Sequence, residues 1–345
     1  MKCSLDFPSS YWLPKIGRKI AVVALTAVLL LPSPLRAQVK KVPFPFSPIG
    51  LNCLPWFVAK EARIFDKYAI EFDPVFIGAS SALFNAMLSG AADLAGSGGP
   101  AVISNILQGG DVIHITAMVP RFTQSIMVKS EIKKPEDMVG KKLGVSRLGT
   151  VTHFALQTLL DAYGIKNVTI LQMGGQPEAF AGLIRGSIDG AVFSPPYNFQ
   201  LKKQGYNELA SPTDLAKLTP FITNGIVARR SVAEKDKDTV IKTIKGTAEA
   251  IKLIQTDREF TKKVMSKWMP MKDPDLVEQS YRFATENYSK EGVVPEAALR
   301  GMVKQMVQSN SIDAKAAAST PITAYYDGRY VDEVRQSGFF DQLWR

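Results

Sequence analysis

Leu88-Ser89-Gly90-Ala91-Ala92-Asp93-Leu94-Ala95 and, 96 residues later, Ile184-Arg185-Gly186-Ser187-Ile188-Asp189-Gly190-Ala191 share one pattern: apolar, polar, Gly, two variable residues, Asp, one variable residue, Ala. Each reads as the end of a helix, stopped by glycine, followed at once by a strand. The parallel continues, since Gly98-Gly99-Pro100 stands where Ser194-Pro195-Pro196 stands in the second copy, ending a strand and opening a helix with proline. Two similar strand-helix units are therefore expected, although glycine after a helix and aspartate before a strand are common enough that the likeness alone does not prove duplication.

The surrounding chain extends both units. Val42 to Phe46, Ile70 to Ile77, Asp93 to Ala95 and Ile113 to Met118 read as strands, separated by helices over Pro55 to Tyr68, Ala82 to Leu88 and Pro100 to Gln108. The second series runs Leu143 to Val145, Val168 to Gln172 and Ile188 to Phe193 as strands, with helices over Val151 to Tyr163, Ala179 to Arg185 and Pro196 to Lys203. Alternation of this kind predicts an α/β protein with parallel sheets covered by helices. Phe221 to Ala228 adds one strand. Helices are then expected over Lys237 to Gln255, Asp257 to Met269, Asp273 to Tyr288 and Pro295 to Ser309, and the aromatic stretch Pro321 to Arg345 is expected to pack.

Composition narrows the function. The chain has 345 residues, 46% hydrophobic and 21% charged, with two cysteines and two histidines. Such a chain buries a large core without staples, and Cys3, Cys53, His114 and His153 are too few for a disulfide framework or a cysteine-based zinc site. No metal and no cofactor are expected. The formal charge of +10 is inflated by the N-terminus, where Lys15, Arg18 and Lys19 precede the apolar run Ile20 to Leu31 and Leu35-Arg36-Ala37. That order is an export signal over residues 1–37, its apolar run of twelve residues too short to span a bilayer as an ordinary helix, and retention as an anchor is the alternative. Without it 37 basic residues face 31 acidic ones, a net +6 spread over lysine pairs such as Lys202-Lys203, so nucleic acid is not an expected partner. No phosphate loop and no Gly-x-Ser-x-Gly elbow occurs.

What remains is a set of loops after strands, rich in Gly, Ser, Thr and Pro: 48–56, 78–81, 96–99, 146–152 and 194–197. Loops at the carboxyl ends of parallel strands are where open sheets bind ligands. Each also presents helix N-terminal amides beside hydroxyls, although helix capping alone explains any one of them.

At this point the chain resembles a known family. Leu54 to Phe65 followed by Tyr68, the Leu88 to Asp93 turn, Lys133 to Val145 and Gly186 to Ala191 are similar to segments of the solute-binding proteins of ABC importers in the nitrate, sulfonate and taurine group, which includes the NMT1/THI5-like thiamine-precursor binders. The likeness runs from about Val42 to Ala250. It implies a two-lobed type II periplasmic binding fold with a helical C-terminal tail, in which residues 38–122 plus 223–345 form one lobe and 123–222 the other, hinged near Val119 to Ser125 and Thr219 to Thr223. Ligand contacts implied by motif position are Asn52, Trp56, Ser80, Ser81, Ser97, Gly98, Gly149, Thr150, Thr152, Pro195 and Tyr197, and Arg121 and Arg147 are the loop arginines near the cleft. Trp56, Phe122 and Tyr197 suit a flat ligand. The function implied is capture of a small polar or anionic molecule in the periplasm by a monomer that hands it to a membrane permease. The alternatives are a binding protein serving a sensor and an enzyme of thiamine-pyrimidine synthesis. The family's enzymes use a histidine and a cysteine-rich segment, and this chain lacks the cysteine cluster, so no catalytic residue is expected.

Overall fold

The computed structural model describes residues 39–47, 50–77, 80–269 and 271–345, and for Ser80 and Ser81 the backbone alone. The export-signal segment 1–37 lies outside the described residues, as do loop positions 48, 49, 78 and 79.

Two five-stranded sheets carry the fold. The first has the order β2-β1-β3-β10-β4, from β1 (Lys40–Phe46), β2 (Ile70–Phe76), β3 (Leu94–Ser97), β4 (Val112–His114) and β10 (Gly225–Arg229). The second has the order β7-β6-β8-β5-β9, from β5 (Ser125–Val128), β6 (Lys142–Val145), β7 (Thr169–Gln172), β8 (Gly190–Phe193) and β9 (Asn207–Ala210). The orders are equivalent strand for strand. Neither sheet is wholly parallel, contrary to the expectation from alternation: β10 runs antiparallel between β3 and β4, and β5 antiparallel between β8 and β9. The reason is connectivity, because each of these strands enters its sheet directly after the chain has crossed from the other lobe.

The repeated aspartates occupy matching places. Asp93, before β3, pairs with Arg229 at the end of β10 (3.3 Å), and Asp189, before β8, pairs with Lys129 just after β5 (2.7 Å) and also accepts from the Lys142 amide (2.9 Å). In both lobes the carboxylate fastens the crossing strand to its antiparallel neighbour.

Helices cover the sheets: α1 (Leu54–Glu61), α2 (Ser80–Leu88) and α3 (Gly99–Leu107) in the first lobe, and α4 (Val151–Ala162), α5 (Gln176–Ile184), α6 (Tyr197–Lys203) and α7 (Pro212–Leu218) in the second. The helix expected over 55–68 is broken. Arg63 takes a left-handed φ of 53°, Ile64–Tyr68 forms a 3-10 turn, and Ala69 is left-handed again, which reverses the chain into β2 while Phe65 stacks on Phe72 at 4.3 Å.

The C-terminal part follows the helical expectation closely: α8 (Arg230–Ala233), α9 (Lys237–Thr256), α10 (Arg258–Trp268), α11 (Pro274–Asn287), α12 (Glu296–Gln308), α13 (Ala314–Ser319), α14 (Arg329–Gln336) and α15 (Phe339–Leu343). Asp257, Asp273 and Asp313 side chains accept from amides in the first turns of α10, α11 and α13, the preferred N-cap chemistry. Tyr325, Tyr330 and Phe340 are buried, as the aromatic composition of this stretch required. Two main cores result. One packs Phe44, Phe46, Trp56, Phe57 and Phe72 against Ile244, Ile251 and Ile254 of α9, and the other joins Phe154, Leu156 and Phe221 to Leu299, Met302 and Met306 of α12. Among the described residues no helix is long and apolar enough to cross a membrane.

Candidate functional site

The loops that follow β1 and β3 in the first lobe meet the crossing segments and the loop that follows β6 in the second. Thr123 donates its hydroxyl proton to Asn52 Oδ1 (3.1 Å), and Asn224 Nδ2 donates to the Asn52 carbonyl (3.1 Å), so the first loop is pinned by both crossing segments at once. Gly98, N-cap of α3, lies against the second lobe: a Cβ there would stand 2.9 Å from the Thr223 carbonyl oxygen and 3.1 Å from Val151 Cγ2. A side chain at 98 would force the Thr223 backbone to shift and Val151 to give way by a few tenths of an ångström.

The floor of this junction is neutral and hydrogen-bonded. Gln124 Nε2 donates to Thr123 Oγ1 (3.0 Å) and Ser194 Oγ (3.2 Å), the Ser194 amide donates to Gln176 Oε1 (2.7 Å), and Asn198 Nδ2 donates to Ser125 Oγ (2.9 Å). Thr223 Oγ1 donates to the Arg121 carbonyl (2.7 Å), tying one crossing segment to the other. Gln124, Ser125, Ser194, Asn198, Thr223 and Asn224 are all buried. A buried polar group without a partner is costly, so most of these donors and acceptors pair with one another, while Asn198 Oδ1 is left without a partner.

The loop 146–152 is self-supporting. Ser146 N donates to Thr152 Oγ1 (2.9 Å), Thr150 Oγ1 donates to the Arg147 carbonyl (2.7 Å) and lies 3.0 Å from Thr152 Oγ1, and Gly149 N donates to His153 Nδ1 (3.2 Å). Thr150 holds the N-cap position of α4, yet its hydroxyl caps nothing. Accepting from Gly149 leaves the His153 proton on Nε2, and burial holds this imidazole's pKa below the usual value. The loop presents Arg147 and Leu148 outward, and Arg121 is likewise exposed at the crossing.

The residues implied by resemblance divide into two groups. Asn52, Gly98, Arg121, Gly149, Thr150 and Thr152 stand at the junction or on the loop beside it. Ser97 is buried at the end of β3, paired with Gly225. Pro195 is buried in the turn after β8, and Tyr197 is half-buried against Phe180 (5.6 Å) and Phe193 (6.2 Å). Trp56 is elsewhere: fully enclosed, 4.8 Å from Phe44 by ring centroid, with its ring so close to β3 that a Cβ on Gly96 would lie 2.1 Å from it. Phe122 is enclosed too, stacked on Phe221 at 4.0 Å. Of the three aromatics suited to a flat ligand, only Tyr197 keeps an open face. The side chains of Ser80 and Ser81 lie outside the described residues.

Sequence reading missed Thr123, Gln124, Gln176 and Asn224. Their signal was present in part: Thr123-Gln124-Ser125 and Thr223-Asn224 are runs of hydroxyl and amide side chains inside otherwise apolar segments, at the very places where the chain crosses. Cys53 is buried, in reach of Asn224 Nδ2 (3.7 Å), and burial pushes its thiol pKa up, the opposite of what a nucleophile needs. His114 is fully buried and cannot meet a ligand.

Two lobes on sheets of equivalent order, each with one antiparallel strand that directly follows a crossing, define the type II periplasmic-binding-protein class. The chain belongs to the family described as NMT1/THI5 like, which residues 51–259 match. It is 33% identical over 130 residues to the taurine-binding periplasmic protein of Escherichia coli K12; the match covers 37% of this chain and 40% of that protein, so well under half the length of that curated relative is spanned. Solved structures extend the likeness in fold. The nitrate-binding protein NrtA of Synechocystis PCC 6803 superposes with a TM-score of 0.71 at 13% identity, over 87% of this chain and 89% of that one. The alkanesulfonate-binding protein SsuA of Xanthomonas axonopodis pv. citri, bound to MOPS, gives 0.66 at 19% identity, over 83% and 96%.

Proposed function

We propose that this protein is an exported solute-binding protein that captures one small polar or anionic organic molecule between its lobes and delivers it, unchanged, to an ABC importer in the membrane. The observation that carries the reading is the junction itself, where Thr123, Gln124, Ser194 and Thr223 are buried, Asn52 is partly buried, and neutral hydroxyl and amide groups hydrogen-bond across the crossing segments. Arg121 on one crossing segment and Arg147 on the loop after β6 are exposed cations. The floor is polar without offering a nucleophile: the buried Cys53 thiol is held protonated, and His153 Nδ1 already accepts from the Gly149 amide. The lobes are assigned as 38–122 plus 223–345 and 123–222, closing about the crossings near 119–125 and 219–223.

Kinship to a taurine-binding periplasmic protein, and the shared fold of sulfonate- and nitrate-binding proteins, support a sulfonate, taurine or nitrate-like ligand and a periplasmic location. Family membership adds thiamine-pyrimidine precursors to the candidates. A monomer suffices, because the junction is built from one chain.

Calorimetric and thermal-shift screening against taurine, alkanesulfonates, nitrate, aromatic carboxylates and pyrimidines tests the reading. A true ligand at 100 times its Kd adds about 2.7 kcal/mol of stability when it binds only the native state, and it is recovered intact. Conversion of a bound compound to product would move the protein to the enzymes.

A further inference from the structure

The segment 273–308 behaves as a yoke. Its middle lies along the first lobe and the start of one crossing: Tyr288 donates its hydroxyl proton to the Leu51 carbonyl, Ser289 N donates to Met118 O (2.9 Å), and Ala117 N donates to Gly292 O (2.8 Å). From this base two arms reach the second lobe at separate places. The α11 arm meets α6, where Phe283 packs edge-on to Phe199 at 6.2 Å and Asp273 pairs with Lys203 at 2.7 Å. The α12 arm meets α4, where Gln305 Nε2 donates to Thr158 Oγ1 (2.8 Å) and to the Phe154 carbonyl (3.3 Å). Beneath Gln305, Leu299, Met302 and Met306 share one core with Phe154, Leu156 and Phe221.

We propose that this yoke is a third connection between the lobes, and that Gln305 is a positioning residue that sets how readily the second lobe swings. The geometry leaves little freedom. Two crossing segments alone form an axis about which the second lobe rotates, whereas arms gripping α4 and α6 resist rotation unless one of them slides or lets go. The grips differ in kind. Lys203 is 55% exposed and its ion pair is screened by water, so that arm is weak and readily released. Gln305 bonds to a helix carbonyl and a buried hydroxyl, and freeing it leaves Thr158 without that donor. Helix α4 also begins at the loop 146–152, so the α12 arm fixes the orientation of the helix that carries this loop. The inference concerns motion and holds whatever molecule the junction binds.

Hydrogen exchange on the ligand-free full chain tests it. The amides of Val119 and Thr223 bond across the crossings, to Asn224 O (2.8 Å) and Val119 O (2.9 Å), and exchange only when the crossings loosen. Gln305→Met keeps the length of the side chain and removes its donor. The expected result is exchange about two- to tenfold faster at these two amides, with the strand amides of β1 and β2 unchanged. Adding Lys203→Ala should widen the effect and raise the radius of gyration measured by X-ray scattering. Arg300→Ala, which removes an ion pair internal to α12, is the control and should leave both amides alone. Unchanged exchange at Val119 and Thr223 in the double variant, or acceleration spread evenly over β1 and β2, would overturn the proposal. Ligand screening failing altogether would not touch it.

Discussion

The two lobes share a plan at one end of their strands and part company at the other. At the amino ends of β3 and β8 the same Gly-x-x-Asp turn places an aspartate against a base on the crossing strand, Asp93 with Arg229 and Asp189 with Lys129. At the carboxyl ends the first lobe has the close-packed 96–99 turn, pressed on Trp56 and Thr223, while the second has the 194–197 turn, where Ser194 bonds to Gln124 and Gln176 and Tyr197 is only half-buried. One end holds the sheet together through paired charges. The other end carries the loops from which the proposed site is built.

Trp56 provides the strongest way to break this comparison. Because it fills the core under β3, Trp56→Ala should cost about 3–5 kcal/mol in chemical denaturation. A stable variant with weakened ligand binding would instead return Trp56 to the site.

The next effect belongs to His114 at the inner end of β4, which has no histidine counterpart in β9. Burial without a hydrogen-bond partner for either ring nitrogen lowers its pKa to about 4. The unfolded chain takes up this proton near pH 6.5 and the folded one only near 4, so stability falls as pH drops through that window, by about 3 kcal/mol. His114→Leu should remove this share of the slope in urea titrations between pH 7 and pH 4, while the smaller share from His153 stays. An unaltered slope would mean that His114 finds a partner in solution.

The aspartates give a smaller, paired effect. Burial pulls the Asp189 pKa up, but the Lys129 ammonium and the Lys142 amide outweigh it, and the net value lies below the ordinary carboxylate range. Its contribution is therefore present above about pH 4 and is lost as pH falls through the folded value. Asp189→Asn should cost about 1–2 kcal/mol, and Asp93→Asn, with one long contact, less than about 1. Equal costs would show that the extra amide bond contributes nothing. Least of all, Thr150→Ala should cost a few tenths of a kcal/mol, since its hydroxyl caps no amide, and Thr152→Ala about 1, because Ser146 N loses its acceptor. Reversal of that order in thermal melts would mean the loop bonds differently.

Much of this was legible in the chain. Proline and glycine punctuation placed α3, α4, α6 and the long helices α9 to α12 within a few residues, and the repeated turn announced two lobes. What escaped notice has physical causes. Strand β5 follows Thr123-Gln124 without a turn residue to mark its start, and β9 reads Asn-Glu-Leu-Ala, too polar for a strand signal. The break after Glu61 depends on left-handed Arg63, which no local preference announces. Gln124 and Ser194 lie 70 residues apart and meet only because β5 and β8 are neighbours. A stacking role for Trp56 came from motif position, and burial is a property of the whole fold.

The late return of β10 to the first sheet also orders events in time. On a chain emerging from its N-terminus, β3 has an unpaired edge until β10 appears, and Gly225–Arg229 is made only after every strand of the second sheet. The second sheet, with its five strands contiguous from 125 to 210, closes first. The first must wait with an open edge, the exposed state in which strands join the wrong partner. A fragment cut shortly after residue 120 should therefore aggregate, whereas the stretch 123–222 contains every strand of its own sheet.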